Sequence, residues 1–388
     1  MKNTKAKEEV EVTNAVNEFD YSTQSESYNK HFIAWRNKKN NPYAYNYAAN
    51  KNESVFIDGK GFIDESASEA ESNSLNKLLY LIGAAILSMI FIENVFDKVL
   101  VLVLDFLNVN VHTTFFNSVI YGGRFEVIII LIVITVLKLV VPLQITHARL
   151  KIPYKARYLT VLKDPLELIG AVAATLATSV VMGIPSAYSD ESKEIYTFFK
   201  SYDADMSVWG QKEFVIYILF DVIIVSILTE ALFRGEMFVA LRQYGDIYAI
   251  LITSLLTGLV TQDYRLMLGN VLIAIVSSCT MLRSGSILAA IISKITYKLY
   301  LLALTIIEID NSSDMFLTRN MFMIFVFCVS IIVVALIYLS PKRKNKKFIA
   351  DYNKHIPLGK KLTMPIKITP FVAVIIICLI AAAIELNV

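Results

Sequence analysis

The chain has 388 residues and a formal net charge of +3, and 55% of its residues are hydrophobic. Its mean hydropathy is +0.55. This length allows two or three soluble domains, but the apolar content exceeds that of water-soluble globular proteins. The composition excludes an ordinary soluble enzyme and predicts a multi-pass protein of the cell membrane.

A polar arm, residues 1–74, opens the chain without helical or alternating periodicity, and its composition favours disorder. The alternative is a docking segment, suggested by aromatic, apolar and turn residues: Trp35, Tyr43, Tyr45, Tyr47, Val55, Phe56, Ile57, Gly59 and Gly61. No cleavable signal peptide is visible before the first apolar run. We therefore expect targeting to rely on the first span.

Apolar runs of roughly the 17 to 25 residues that cross a hydrocarbon core recur after the arm. They lie at about 78–96, 127–145, 166–186, 214–233, 247–262, 266–282, 285–305, 321–339 and 368–386. The first run is the least regular, because it contains Glu93 and a second apolar run, Val99 to Leu107, follows closely. The pattern predicts an all-α polytopic fold with about eight or nine transmembrane helices.

The distribution of charge between loops predicts the orientation of these helices, because Lys and Arg concentrate in cytoplasmic loops. The 146–163 and 341–361 loops are rich in Lys and Arg, whereas the 187–212 and 306–319 loops are richer in acidic residues. Nine alternating spans that start from a cytoplasmic N-terminus place all four loops on the sides that their charges prefer. The basic 341–361 loop is interpreted as a topology determinant and not as a nucleic-acid site.

Two short sequences in the middle of the chain carry a family signature. The first is Thr229-Glu230-Ala231-Leu232-Phe233-Arg234-Gly235, and the second is Arg283-Ser284-Gly285-Ser286-Ile287-Leu288-Ala289-Ala290. Together with the span around Gly258, they make residues from about Glu213 to Thr305 resemble the CPBP family, also called the Abi or CAAX-protease family, of intramembrane metalloproteases. Thr229 and Thr261 lie 16 residues on either side of a turn at Gly245, which places them at similar depth in one helical hairpin.

The resemblance implies a metal held by His residues inside the membrane and a water molecule activated by the first Glu of the motif. The matching positions here are Thr229, Thr261, Lys294 and Lys298, while Glu230 and Arg234 are retained. The four His residues, His31, His112, His147 and His355, all lie outside 213–305. Protonated Lys cannot bind a metal, so no zinc or other metal is expected and the motif is predicted to be degenerate.

Charged residues within apolar runs are costly and are usually paired. One hypothesis is that Lys294 and Lys298 occupy the vacated metal site and pair with Glu230, with Asp263 as a further partner. Lys294→Ala is then expected to destabilise the folded protein in detergent more than Lys298→Ala does. The alternative is that Glu230 and Arg234 lie near the cytoplasmic boundary while Lys298 extends its ammonium to the interface.

These patterns predict four regions: the arm 1–74, N-terminal transmembrane helices 75–212, a CPBP-like core 213–305, and C-terminal helices with a basic cytoplasmic loop, 306–388. The leading interpretation is an inactive pseudoprotease in the lipid bilayer that binds a membrane peptide or protein, since the resemblance also implies bacteriocin immunity or maturation. The alternatives are an active metalloprotease using Glu230 with His112 or His147, and a transporter using Asp221, Lys138 and Lys294.

Overall fold

The structure, a computed structural model, describes residues 26–38, 41–45, 52–57, 61–113, 120–158, 164–187, 211–262, 264–309, 315–340, 349 and 355–386. Every apolar run found in the sequence lies in a helix. The elements are α1 (Glu26–Arg36), β1 (Asn52–Ile57), β2 (Gly61–Ser66), α2 (Ala67–Phe91), α3 (Asp97–Phe106), β3 (Val111–Thr113), β4 (Ile120–Gly122), α4 (Arg124–Leu150), α5 (Tyr154–Arg157), α6 (Leu166–Ala187), α7 (Gln211–Leu219), α8 (Ser226–Glu230), α9 (Val239–Leu241), α10 (Asp246–Leu259), α11 (Tyr264–Ser284), α12 (Ile287–Ile309), α13 (Met315–Tyr338), α14 (Leu358–Thr363) and α15 (Thr369–Leu386).

In the part of the chain that the structure describes, six helices are long and apolar enough to cross a membrane: Ser68–Phe106, Arg124–Leu150, Val215–Tyr244, Leu266–Ser284, Ile287–Ile307 and Leu317–Tyr338. The pair Leu358–Lys367 and Thr369–Ala383, bent by 79°, makes seven if it counts as one span. The two remaining apolar runs form shorter helices, Leu166–Met182 and Asp246–Leu259. The all-α polytopic class is confirmed, and among the described residues six or seven helices, not eight or nine, meet the length and composition of a span.

Three π-helical segments interrupt the long helices in the described part of the chain: Ile92–Phe96, Phe220–Val225 and Ala231–Phe238. The first joins α2 to α3, so the region around Glu93 is one continuous helix. Each segment also holds an acidic residue, Glu93, Asp221 or Glu236. A π-turn shifts the helical register and redirects the following side chains, and such turns are common at functional sites. Here they place carboxylates where neighbouring helices supply a cation.

The helices pack as two groups that share the 211–259 segment. In one group α2 lies against α4 and α15, and in the other α6 lies against α11, α12 and α13. The largest apolar core runs through the first group and the shared segment, while Val180, Tyr300, Leu304 and Met323 form a separate cluster in the second. The shared segment, which carries the motif, is therefore covered by protein on several sides.

Two parts of the N-terminal arm, residues 26–38 and 41–45, are folded onto this helical body, whereas the sequence favoured disorder. Tyr28, Phe32 and Trp35 are buried on α1, and the Trp35 indole donates a hydrogen bond to the carbonyl of Leu150, 2.7 Å away. Trp35, Tyr43 and Tyr45 of the docking segment considered from the sequence lie in these parts, while its Tyr47 and Gly59 lie outside the described residues. β1 and β2 form an antiparallel hairpin further along the arm, and α2 begins at Ala67, inside the segment assigned to the arm.

A buried ion pair fixes the end of α2 to the 355–361 segment. The Lys361 ammonium contacts Glu71, and both side chains are fully buried. Glu71 Oε2 also accepts hydrogen bonds from the backbone N–H groups of His355 and Ile356, at 3.1 and 3.2 Å. Lys361 also donates to the carbonyl of Tyr244, 3.0 Å away. This lysine, counted among the basic loop residues, is thus part of the core and not a free surface charge.

Candidate functional site

The motif residues lie where the 211–244 helix, α11 and α12 meet. Glu230 ends α8 and lies near the middle of the Val215–Tyr244 span. Its side chain is buried, with 1% exposed. Arg234, one helical turn later, is fully buried, and its Nε lies 3.3 Å from Glu230 Oε2. The alternative placed this pair near the membrane boundary, whereas the pair is buried near the middle of the apolar helix.

Arg234 connects three elements through its guanidinium group. Nη1 donates to the Thr257 hydroxyl on α10 at 3.2 Å, and Nη2 donates to the Ala274 carbonyl on α11 at 2.9 Å. Glu230 accepts a longer contact from Ser277 Oγ, at 3.4 Å, and the same hydroxyl contacts the Ala290 carbonyl of α12. The retained Glu-x-x-x-Arg pair therefore ties α8, α10, α11 and α12 together.

The glycine that follows Arg234 permits close approach of the 151–158 segment. A Cβ on Gly235 would lie 2.7 Å from a ring atom of Tyr158. The next residue, Glu236, is fully buried and contacts the Arg157 guanidinium, and His147 Nδ1 lies 3.3 Å from the same carboxylate. Burial and the nearby negative charge of Glu236 raise the pKa of Tyr158 to about 12, so this phenol stays neutral at physiological pH.

Lys298 pairs with Asp221 and not with Glu230. Its ammonium lies 2.8 Å from Asp221 Oδ1 and 3.0 Å from the Asp221 carbonyl, in the π-helical segment Phe220–Val225. Asp221 is buried, with 3% exposed. The predicted pairing of Lys298 with Glu230 is wrong, because Arg234 already occupies Glu230 and a turn of π-helix presents Asp221 to α12. The Lys298 ammonium contacts Asp221, whereas the alternative extended it to the membrane interface.

Lys294, one turn earlier on α12, has a different kind of partner. Its Nζ donates to the amide oxygen of Asn270 on α11, 3.0 Å away, and lies 5.6 Å from the centroid of the Tyr297 ring. The structure shows no ion pair between Lys294 and Glu230 among the described residues. Asp263, the second partner considered for the lysines, lies outside the described residues. The two lysines on one face of α12 thus reach different neighbours.

The remaining motif positions, Thr229 and Thr261, are both partly buried. The Thr261 hydroxyl donates to the carbonyl of Gly258, and the next residue, Gln262, donates to Glu93 Oε2 at 3.1 Å. Thr261 lies just beyond the end of α10, so the hairpin expected around Gly245 is present but its second arm is short. The close packing of this arm depends on Gly258, where a Cβ would lie 2.8 Å from the Met267 carbonyl.

The donor set at these positions does not fit the metal that the resemblance implies. Its carboxylate, Glu230, contacts a guanidinium, and the other motif positions are two hydroxyls and two amines. Among the described residues no group of three or more His, Cys, Asp and Glu side chains could hold a metal ion. A catalytic zinc requires thiolate, imidazole or carboxylate ligands, so the side chains at the motif positions do not form a catalytic zinc site.

His147 and His112, considered as ligands from outside the core, both have other partners. His147 contacts Glu236 beside Arg157, whose guanidinium would repel a metal cation. His112 Nδ1 lies 3.0 Å from Asp105 Oδ1, and both side chains are partly exposed. Of the residues considered for a transporter, Lys138 contacts Glu93, and Asp221 contacts Lys298.

Several residues of the site were not identified from the sequence. Asn270 and Ser277 on α11 hold Lys294 and Glu230, and Thr257 holds Arg234. Hydroxyl and amide side chains are common in transmembrane helices and give no distinctive pattern. The ionisable Glu236 carried a signal, because a charged residue next to a motif in an apolar helix is usually paired.

Comparison with known proteins bears on the same segment. The family model described as type II CAAX prenyl endopeptidase Rce1-like matches residues 211–300. This confirms the resemblance for about a quarter of the chain, which contains Glu230, Arg234, Lys294 and Lys298. No curated protein and no solved structure matches the chain.

Proposed function

We propose that this multi-pass, Rce1-like membrane protein is a pseudoprotease that binds a membrane peptide or protein without cutting it. The observation that carries the proposal is the state of Glu230. Its carboxylate is buried and held by Arg234 and Ser277, and the motif positions around it supply no imidazole. A general base needs a free carboxylate within reach of the water that it activates.

The retained residues support a binding role because they hold the helices of the matched segment together. Arg234 joins α10 and α11, and Gly235 and Gly258 allow neighbouring segments to approach closely. These contacts preserve the arrangement of α8, α10, α11 and α12 without any catalytic group. A segment that stays folded without catalytic groups can still offer a surface to a peptide.

Metal content of the purified protein is the first test of the inactive state. Elemental mass spectrometry of the wild-type chain and of Glu230→Ala is expected to show no stoichiometric zinc in either protein. Near-stoichiometric metal that is lost in Glu230→Ala would contradict the proposal and support an active enzyme with a rearranged site.

Binding and cleavage are measured on one defined probe, a fluorescent farnesylated peptide that ends in a CAAX sequence. The probe is added to protein in phosphatidylcholine nanodiscs. Its fluorescence anisotropy measures binding, and its mass by mass spectrometry shows whether the peptide has been cleaved. We expect binding with no cleavage, and weaker binding to Gly258→Ala, in which the helical hairpin is displaced. Cleavage that Glu230→Ala abolishes, or the absence of any binding, would contradict the proposal.

A further inference from the structure

Every charged side chain that the structure describes between Asp221 and Lys298 contacts an opposite charge, with one exception; the side chains of Asp263 and Arg265 are not among those described. The pairs are Asp221–Lys298, Glu230–Arg234, Glu236–Arg157, Arg242–Asp246 and Arg283–Glu167. The exception is Lys294, whose partners in the described part of the chain are the neutral amide of Asn270 and the Tyr297 ring. The core therefore carries one positive charge that its own described residues do not neutralise.

The two carboxylates that act electrostatically on Lys294 are already engaged. They are Glu230, in contact with Arg234, and Asp221, in contact with Lys298. The charges of Lys298 and Arg234 act on Lys294 in the opposite sense. The field of each carboxylate is thus largely offset by its partner, and an ammonium group has two further N–H donors after its bond to Asn270.

Lys294 lies inside the membrane-spanning part of α12. It is the eighth residue of a helix that begins at Ile287, so its Cα is about 10 Å along the axis from that end. Its side chain is only partly covered by protein. Ser293, the preceding residue, is fully buried, and its hydroxyl has no hydrogen-bond partner in the described part of the chain.

An uncompensated ammonium at this depth is unfavourable, and an anion beside it removes much of that cost. We propose that Lys294 and Asn270 form a binding site for a single carboxylate on an apolar carrier. A carboxylate supplies the opposite charge, and its oxygens accept hydrogen bonds from the two ammonium N–H groups that are not bonded to Asn270. A phosphate of a lipid headgroup lies outside the hydrocarbon region, which disfavours it at this position. The assignment of the carrier to a membrane peptide rests on the function proposed above, and the carboxylate site itself does not.

The first experiment uses no ligand and tests whether a carboxylate placed beside Lys294 stabilises the protein. Asn270→Asp places a carboxylate next to Lys294, at the position where the amide oxygen now lies 3.0 Å from Nζ. We expect this variant to raise the melting temperature in maltoside detergent by several degrees. The same change in a Lys294→Gln background should lower it, because the new carboxylate is then unpaired. If Asn270→Asp alone melts at a lower temperature than the wild-type protein, the proposal is overturned.

The ligand is tested with three amphiphiles that share a ten-carbon chain: decanoate, decyl phosphate and decanol, each below its micellar concentration. Decanoate is expected to raise the melting temperature of the wild-type protein and of Lys294→Arg, which keeps the charge. It should have no effect on Lys294→Gln or on Asn270→Asp. A decanoate effect that persists in Lys294→Gln, no decanoate effect in the wild type, or an equal effect of decyl phosphate would each overturn the carboxylate assignment.

The carrier is tested with an apolar 21-residue helical peptide that has Glu or Gln at its centre, in phosphatidylcholine vesicles. Energy transfer from labelled protein should show about tenfold tighter binding of the Glu peptide, which corresponds to about 1.4 kcal/mol, and Lys294→Gln should abolish the difference. If decanoate binds through Lys294 but the two peptides do not differ, the carboxylate site stands and its assignment to a peptide carrier fails. If decanoate has no effect while the prenylated probe still binds, the site fails and the proposed function stands.

Discussion

Lys298 and Asp221 form an ion pair across 77 residues of chain, with Nζ 2.8 Å from Oδ1 and a second hydrogen bond to the Asp221 carbonyl. The side chain of Lys298 is 15% exposed and that of Asp221 is 4% exposed. The π-helical segment around Asp221 turns this carboxylate toward α12. Lys298 is therefore part of a structural contact between helices, whereas Lys294 is bound to a neutral side chain.

This difference reverses the expected order of two substitutions. Lys298→Ala should lower the free energy of unfolding in detergent by about 3–5 kcal/mol, because it removes the cation that contacts the buried Asp221 carboxylate. Lys294→Ala should cost less, since Asn270 is neutral. The two are compared by thermal unfolding, and adding Asp221→Asn to Lys298→Ala should recover part of the loss. Equal losses in the two single variants would show that the ion pair contributes little.

The Glu230–Arg234 pair should behave as one unit. Arg234→Gln is expected to destabilise the protein by about 3–5 kcal/mol, because Glu230 then keeps a buried charge without its cation. The double variant with Glu230→Gln should cost less than the sum of the two single changes. A double-mutant cycle in detergent measures this coupling. Additive losses would mean that the buried contact at 3.3 Å has no energetic role.

Close helix packing at Gly258 predicts sensitivity to a single methyl group. In Gly258→Ala the new Cβ meets the Met267 carbonyl at 2.8 Å, so α10 or α11 must shift. We expect a loss of about 1–3 kcal/mol, as for other overpacked sites. Gly359→Ala is the matched control, because a Cβ at Gly359 has no heavy atom within 4 Å. Similar melting temperatures for the two variants would contradict the packing of α10 against α11.

The folded part of the arm is held by Gln243 in the turn after α9. Its amide accepts the Tyr45 backbone N–H at 3.0 Å and donates to the Tyr43 carbonyl at 2.8 Å. Gln243→Leu removes both bonds, and limited proteolysis of the arm should accelerate by about tenfold if roughly 1.4 kcal/mol of local stability is lost.

The control for this prediction is Gln144→Leu, at an exposed position on α4. It should leave the proteolysis rate unchanged. An unchanged rate in Gln243→Leu as well would show that α1, through the buried contacts of Tyr28, Phe32 and Trp35, holds the arm without the turn.

Hydropathy and local composition were enough to predict the membrane class and the position of every apolar helix, because lipid imposes a length and an apolar content on each span separately. The motif residues and the lack of His between residues 213 and 305 also follow from the sequence, since they need only a position along the chain. The resemblance predicted from Glu230, Arg234 and their neighbours is confirmed by the family match at 211–300.

Only the tertiary structure decided which polar groups meet. Lys294 and Asn270 are separated by 24 residues, Lys298 and Asp221 by 77, and Trp35 and Leu150 by 115. Such pairs depend on helix crossing and on π-turns that shift the register by one residue, and neither leaves a periodic signal in the sequence. A charged residue in an apolar run indicates that it has a polar partner, but the packing of the helices determines which residue that partner is.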